Sequence, residues 1–555
     1  MLVSMFDKQI KKVSRKSLLL IFIPLILSAF THIWNPIGFP AIHVDEGHYM
    51  RRAMQVIEGQ GPQESNSTYF YAYDHPYFGQ LFLGGILKLI GYPDSLSPKA
   101  GDVHSIEMLY LVPRVIMGLL AVVDTFLIYK IAEHRYSRNI AFVAAILFAV
   151  MPLSWILRRV LLESIQLPFI LSSILFLLYK RNLTVKSISA NNRDTNPPNN
   201  SLNLFTIVLS GIFLGLAIFT KVPAFLMIPV VAYLVYTRNS NNHYKRIKVL
   251  GLWFIPVILI PLIWPAYATS TGHFDEWIHG VLFQASRESG KDLRNSINII
   301  YQIDAVLLLL AFAAFIYSEL RNSYFIFLWI IPYLLFLSTL GWVVHFHWIL
   351  LIPAFCIAIG VLIEGFSKRI KHKRVSQVSR IVIISTIVIF GLTSTYILIT
   401  SNLNSSYFEL YSYISQELQS NSNSDTNNDD DDNNNDNNNG ITVIGTHRVK
   451  ALLWIPVYVF NNDNVFFRDT DIGLQSTISP IETKKVVLIV DNNLRDRLVP
   501  FENVGNEKDK QISSIYHNAQ TSATFINTDY KRYSYMTMKD NYGLGSFVEV
   551  RSNYN

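Results

Sequence analysis

Apolar runs of membrane-crossing length recur along this chain, separated by short polar breaks. About 20 mostly apolar residues suffice for a helix to cross the hydrocarbon core of a bilayer. Stretches of this kind lie at approximately 17–34, 108–130, 140–157, 164–180, 203–220, 222–237, 249–267, 302–317, 324–343, 348–366 and 381–401. The pattern predicts about eleven transmembrane helices, and an odd number puts the termini on opposite sides. Every second break is basic: "EHRYSR", "YKRNLTVK", "HYKRIK" and "SKRIKHKR" carry most of the positive charge. Short cytoplasmic loops are enriched in Lys and Arg, so these breaks and the basic N-terminus are expected inside. The first apolar run is long for a signal peptide and no small-x-small cleavage site follows it, so an uncleaved first helix is expected.

That arrangement places residues 35–107 outside as one large loop, together with 268–301, the "HFHW" turn and everything beyond 401. Within the first loop, "GQLFLGGILKLIG" at 79–91 is apolar but too short to span. It is expected as a helix in or dipping into the outer interface. Residues 420–440 are an Asn/Asp-rich tract with no apolar side chain to bury, which marks a disordered linker. Beyond it "ITVIGTH", "VYVF", "NVFFRD" and "KKVVLIVD" have the look of short strands. The expected organisation is therefore a membrane domain over 1–401, a linker over 402–440 and a small extracytoplasmic α/β domain over 441–555.

Composition supports this class. Half of the 555 residues are hydrophobic and only 16% are charged, against about 25% in ordinary soluble domains. The net charge of +7 resides in the short breaks between apolar runs, so it speaks for membrane topology and against nucleic-acid binding. The single cysteine, Cys356, excludes an intrachain disulfide.

Candidate chemistry gathers on the outer side. Asp45 and Glu46 stand where the chain leaves the first helix, and Asp74 and His75 recur in the same loop. Carboxylates beside a lipid boundary have tunable basicity, which suits a general base. Cations come from separate helices: Arg114 near the outer end of the second, Arg158 and Arg159 with Glu163 close by, and Lys221 at the junction of the fifth and sixth. His345 and His347 flank the tenth. Such a face would suit a substrate that carries a phosphate at the membrane surface. Asp275, Glu276 and His279 are better read as a loop charge cluster than as a metal pair. No phosphate-binding GxxxxGK[ST] loop, no G-x-S-x-G elbow and no firmly spaced metal-ligand set is present, so neither a metal nor another cofactor is expected.

"DEGHYMRRA" followed by "DHPYFGQLFLGGILKLIG" resembles the protein O-mannosyltransferases and is similar to the aminoarabinose transferases that modify lipid A, both of the GT-C glycosyltransferase class. "PRVIMGLLAV", "RRVLLESIQLPFIL", "GIFLGLAIFTKVPAFLMIPV" and "HFHWILLIPAF" look like later segments of the same family in the same order, so the resemblance covers roughly 15–400. The family's P-P-L-G-K reads here Pro76-Tyr77-Phe78-Gly79-Gln80, without the lysine. The resemblance implies a GT-C fold and a polyprenyl-phosphate sugar as donor. By family pattern Asp45 activates or positions the acceptor, with Glu46 its neighbour. Asp74 and His75 match the second loop motif, and Arg114 matches a donor-phosphate contact. The function expected is sugar transfer from a polyprenyl (dolichyl) phosphate to a hydroxyl of a protein, glycan or lipid, by single inverting displacement and without metal. The rival expectation, a transporter or lipid flippase, would place its ionisable groups near mid-membrane instead.

Overall fold

The computed structural model describes residues 15–61, 73–179, 203–238, 242–286, 293–321, 323–425, 441–462, 465–470, 485–491, 494–495, 507–527 and 547–554. Each apolar stretch of the sequence forms a helix: α1 (Arg15–Ile33), then, after two helices of the first loop, α2 (Val44–Glu58) and α3 (Phe78–Leu89), the long α4 (Val103–Arg135), α5 (Arg138–Val150), α6 (Leu162–Leu178), α7 (Leu204–Thr220) and α8 (Ile228–Thr237). They continue through α9 (His243–Leu259), α10 (Ile263–Ser270), α11 (Phe274–Ser286), α12 (Leu293–Glu319), α13 (Tyr324–Thr339), α14 (Ile352–Arg369) and α15 (Lys373–Ile399). Among the described residues five helical segments are long and apolar enough to cross a membrane, and a sixth if α5 and the 3-10 turn Pro152–Arg158, bent by 68°, count as one span. The other apolar helices have 10–17 residues. The chain is a multi-pass helical membrane protein, and the expected number of eleven spans is not established by helix length.

Several helices break at one end of the bundle. Pro152, Pro223 and Pro353 sit at N-terminal positions of helical segments, where a missing N–H costs nothing. The 3-10 turns Pro152–Arg158, Val222–Met227 and His345–Leu351 converge there. They bring Arg158, Lys221 and His345 from distant parts of the sequence to one end of the bundle. The bundle core is one apolar cluster running from Phe39 to Leu403.

The C-terminal region differs from expectation in two respects. Residues 402–425 are not linker: α16 (Ser405–Asp425) buries Tyr407, Phe408, Leu410, Tyr411, Ile414 and Leu418 against α4 and the C-terminal sheet. The segment "SYFELYSYISQEL" carries apolar residues at helical spacing, and that amphipathic stripe outweighs its polar composition. Residues 426–440 lie outside the described residues. "VYVF", expected as a strand, belongs to a π-turn over Ile455–Val459 anchored by buried Trp454. The remaining strands form a mixed five-stranded sheet of β1 (Ile441–Gly445), β2 (Val465–Asp469), β3 (Lys485–Asp491), β4 (Gln520–Ile526) and β5 (Phe547–Ser552), in the order β2-β1-β3-β5-β4. β1 is parallel to β2 and β3, and β5 is antiparallel to β3 and β4. With α17 (His447–Lys450) and α18 (Glu507–Asn518) this is the small α/β unit expected.

One apolar cluster joins this unit to the first loop: Met50, Met54, Leu83, Leu109, Tyr110, Phe408, Tyr411, Trp454 and Val487 pack together. Phe408 is central to it, with its ring 5.9 Å from Tyr110 in an edge contact. Phe408→Ala should destabilise the protein by about 3–5 kcal/mol, read as a lower melting temperature in detergent. Shortening 426–440 by half should leave the melting temperature unchanged.

Candidate active site

The site is organised by the first turns of α2. His43 holds the N-cap with φ −118° and ψ 145°, and its Nδ1 accepts the Asp45 N–H at 3.2 Å. Two carboxylates in the first turn, Asp45 and Glu46, suit the positive end of the helix dipole. The helical period then puts Asp45, His48, Tyr49 and Arg52 on one face, while Glu46, Met50 and Ala53 share the neighbouring stripe. That neighbouring stripe is fully buried.

Glu46 and Arg114 meet inside the protein. Arg114 donates from Nε to Glu46 Oε2 at 2.9 Å and from Nη2 to Oε1 at 2.8 Å, and both side chains are wholly buried. The remaining Arg114 nitrogen donates to the Pro36 and Pro40 carbonyls at 2.7 and 2.9 Å. The two residues expected as a catalytic neighbour and a donor-phosphate contact are thus paired with each other in this structure. Each neutralises the other and fixes α2 to α4. Arg159 belongs to the same frame, with Nε 3.7 Å from Glu46 Oε1, Nη2 donating to the Ala41 carbonyl at 3.0 Å and Nη1 3.3 Å from His345 Nε2. His345 is buried with it, and His347 serves the turn itself, its Nδ1 accepting the Val344 N–H at 3.4 Å.

Around this frame the other predicted residues do come together. Lys221 Nζ stands 2.5 Å from Glu163 Oε1 and 5.4 Å from the centre of the Phe346 ring. Phe346 in turn meets His43 edge-on at 5.7 Å. Asp74 accepts from Arg52 Nη2 at 2.8 Å and from Gln284 Nε2 of α11 at 3.4 Å, with His75 Nε2 3.9 Å away. Burial alone would push the Asp74 carboxyl up, but His75 and Arg52 outweigh it and hold it well below the usual carboxylate range. His48 is pushed well below its ordinary value by burial and by Arg52, so its ring is neutral. Burial raises the Tyr49 hydroxyl well above its usual value, reinforced by the Asp45, Glu163 and Asp74 carboxylates. Tyr49 is thus a protonated phenol among three carboxylates. Gln80, in the place of the family's lysine, is buried with its amide facing the Pro76 and Tyr77 carbonyls.

Two residues stand apart. Arg158 donates to the Trp34 carbonyl and lies 5.7 Å from the Phe39 ring, and among the described residues it has no carboxylate partner. Asp45 is the most exposed carboxylate of the cluster, 29% against 16% for Asp74, 3% for Glu163 and 0% for Glu46. Across the cap, His43 Nδ1 lies 3.8 Å from Asp45 Oδ2. His43, His48, Tyr49 and Arg52 were not among the candidates from sequence. The i, i+3, i+4, i+7 spacing that follows Asp45 in "DEGHYMRR" is the signal that marks the last three. Residues 69–72 of the second loop motif lie outside the described residues. Asp275, Glu276 and His279 fall on α11, and among the described residues no group of three or more His, Cys, Asp or Glu could hold a metal ion.

With its carboxylates and cations gathered at one end of a broken-helix bundle, the chain is similar to glycosyltransferases of the GT-C class. Residues 25–277 match the family described as "Dolichyl-phosphate-mannose-protein mannosyltransferase". No curated protein sequence matches the chain. Among solved structures it is similar to the archaeal oligosaccharyltransferase AglB from Archaeoglobus fulgidus, solved with an inhibitory peptide and a dolichol-phosphate. The TM-score is 0.53 at 12% identity, over 93% of this chain and 74% of that one. It is also similar to ArnT from Cupriavidus metallidurans in the apo state, with TM-score 0.51 at 12% identity over 97% of each chain. At that identity the likeness is one of fold.

The buried pair gives a direct test of whether Arg114 acts as an anchor or as a phosphate contact. Arg114→Ala leaves Glu46 charged and unpaired inside the protein, which costs about 3–5 kcal/mol. The variant should lose folded protein, seen as a lower melting temperature and an earlier aggregation onset in size-exclusion chromatography. A normally stable Arg114→Ala with selectively weakened donor binding would restore its role as a phosphate contact.

Proposed function

We propose that this protein transfers a single glycosyl group from a polyprenyl-phosphate sugar to a hydroxyl acceptor on the non-cytoplasmic face, with Asp45 as general base. The observation that carries this reading is the exposure of Asp45 in the first turn of α2, greater than that of Glu46, Asp74 or Glu163. A carboxylate that a substrate can reach is able to take its proton.

In the proposed step the acceptor oxygen attacks the anomeric carbon as its proton passes to Asp45. The bond from that carbon to the phosphate oxygen breaks, and its electron pair leaves with the phosphate, so the configuration inverts. Positive potential for the phosphate comes from the surplus cation. Arg52, Arg114, Arg159 and Lys221 face carboxylates, and Arg158 adds a charge that no described carboxylate offsets. Preorganised charge of this kind favours the departing group without reorganisation at the moment of reaction. The family match supports a dolichyl-phosphate donor and a protein acceptor, and glycan and lipid hydroxyls are the alternatives an acceptor screen distinguishes.

Orientation follows from charge. The ends of α4, α5, α8 and α14 that carry Arg135, Arg138, Arg238, Lys368 and Arg369 lie opposite the site along the sequence of spans. Under the preference of Lys and Arg for cytoplasmic loops, the site and the C-terminal domain face the other way. The N-terminus is then cytoplasmic.

Asp45→Asn keeps the shape and the cap but cannot accept a proton. It should lower turnover by about 10²–10⁴-fold while leaving donor affinity within about twofold, measured with a labelled polyprenyl-phosphate sugar in nanodiscs. Near-wild-type transfer by this variant would remove Asp45 from the chemistry. For orientation, Cys356 is replaced by Ser and single cysteines are placed at Gln60 and Lys510, both exposed. A membrane-impermeant thiol reagent should label both in intact cells, and labelling of only one would contradict the shared side.

A further inference from the structure

We infer that the C-terminal domain sets the position of Asp45, and that Gly47 is the positioning residue through which it acts. This rests on the reading of Asp45 as the base.

Gly47 lies two residues beyond Asp45, inside α2 and not at an end of it. A glycine inside a helix costs roughly 1 kcal/mol relative to alanine, so it needs a reason to be there. The reason is not a left-handed backbone, because the positive-φ glycines of this region are Gly59 and Gly61, both past the helix. The reason is space: a Cβ on Gly47 would run into the Ala451 carbonyl oxygen, so the two backbones touch. Ala451 directly follows α17, in a turn whose Leu452, Trp454 and Ile455 share one buried cluster with Met50 and Met54 of α2. Directly after Met54, Gln55 Nε2 donates to the Tyr458 hydroxyl at 3.1 Å.

The segment leading into α2 is held from the same direction. Asn404, just ahead of α16, accepts the Ile42 N–H at 2.9 Å and donates to the Ile37 and Pro40 carbonyls at 2.6 and 2.9 Å. Tyr411 of α16 then donates to the Val449 carbonyl in α17. The helix is therefore clasped between two bodies. Its Glu46 stripe is ion-paired to the bundle, and its Gly47 side is seated on the C-terminal domain. A rigid contact at Gly47 passes any displacement of that domain to the Asp45 carboxylate. Misplacing a catalytic group by about 1 Å can cost roughly 10²-fold in rate.

The test uses the full chain in nanodiscs, with dolichyl-phosphate mannose as the donor probe. Gly47→Ala should lower kcat by at least about tenfold while donor Kd stays within about twofold and the protein remains folded. Tyr458→Phe, which removes only the hydroxyl that meets Gln55, should lower kcat several-fold with donor Kd and melting temperature unchanged. A merely structural contact would instead lower melting temperature and donor affinity together with turnover, and that pattern overturns the inference. If Gly47→Ala does not fold, Tyr458→Phe and Gln55→Leu decide, and wild-type kcat in both overturns it. Asp45→Asn runs beside them. Loss of transfer there with wild-type kcat in the Gly47 and Tyr458 variants defeats positioning alone. Wild-type transfer by Asp45→Asn defeats the base assignment and this inference with it.

Discussion

The site depends on one buried ion pair, Glu46 with Arg114. Taking two charges out of water costs several kcal/mol per ion, and mutual attraction repays it only when geometry is good and the leftover donors are satisfied. Both conditions hold here: the pair is bidentate, and the spare Arg114 nitrogen reaches the Pro36 and Pro40 carbonyls. Its consequence is orientation. With Glu46 locked inward, the helical period leaves Asp45 no choice of direction, because adjacent residues differ by about 100° around the helix axis. Two acidic neighbours in the sequence thus acquire opposite fates. One becomes a structural anchor and the other is turned toward the opening.

The remaining charges follow the same logic of pairing at low dielectric. Arg52 with Asp74 and Lys221 with Glu163 tie the second loop segment and the α6–α7 break to the cluster, so their charges are spent on shape. A set of mutually neutralised groups would have little to offer a phosphate. Arg158 prevents that neutrality, since its contacts are a carbonyl and an aromatic ring. A buried cation without a carboxylate is costly, and an approaching anion would lower that cost.

The C-terminal domain is not an appendage hanging from a tether. Its sheet, α16 and the first loop share an apolar cluster, and that shared core makes the domain part of the wall behind α2. The opposite face of the sheet has its own small core around Ile444, Leu488 and Ile512. The sheet is thus covered on both faces, and one of its two cores is shared with α16 and the first loop.

The sequence by itself determined the class of this protein. Apolar runs of membrane length, basic breaks on alternate sides and the "DEGHYMRRA" segment are local signals, and local signals survive without a fold. The convergence of Asp45, Asp74, Arg158, Glu163 and Lys221 was legible too, because topology alone assigns those helix ends to one side. What only the tertiary structure decided was partnership. Nothing in the spacing of Glu46 and Arg114 reveals that they bind each other across 68 residues. The polar composition after residue 402 masked a helix whose apolar stripe has meaning only once a sheet and α4 lie beside it. Burial and pairing are properties of contacts between distant segments, and those contacts buried one of two adjacent carboxylates in an ion pair and left the other the more exposed.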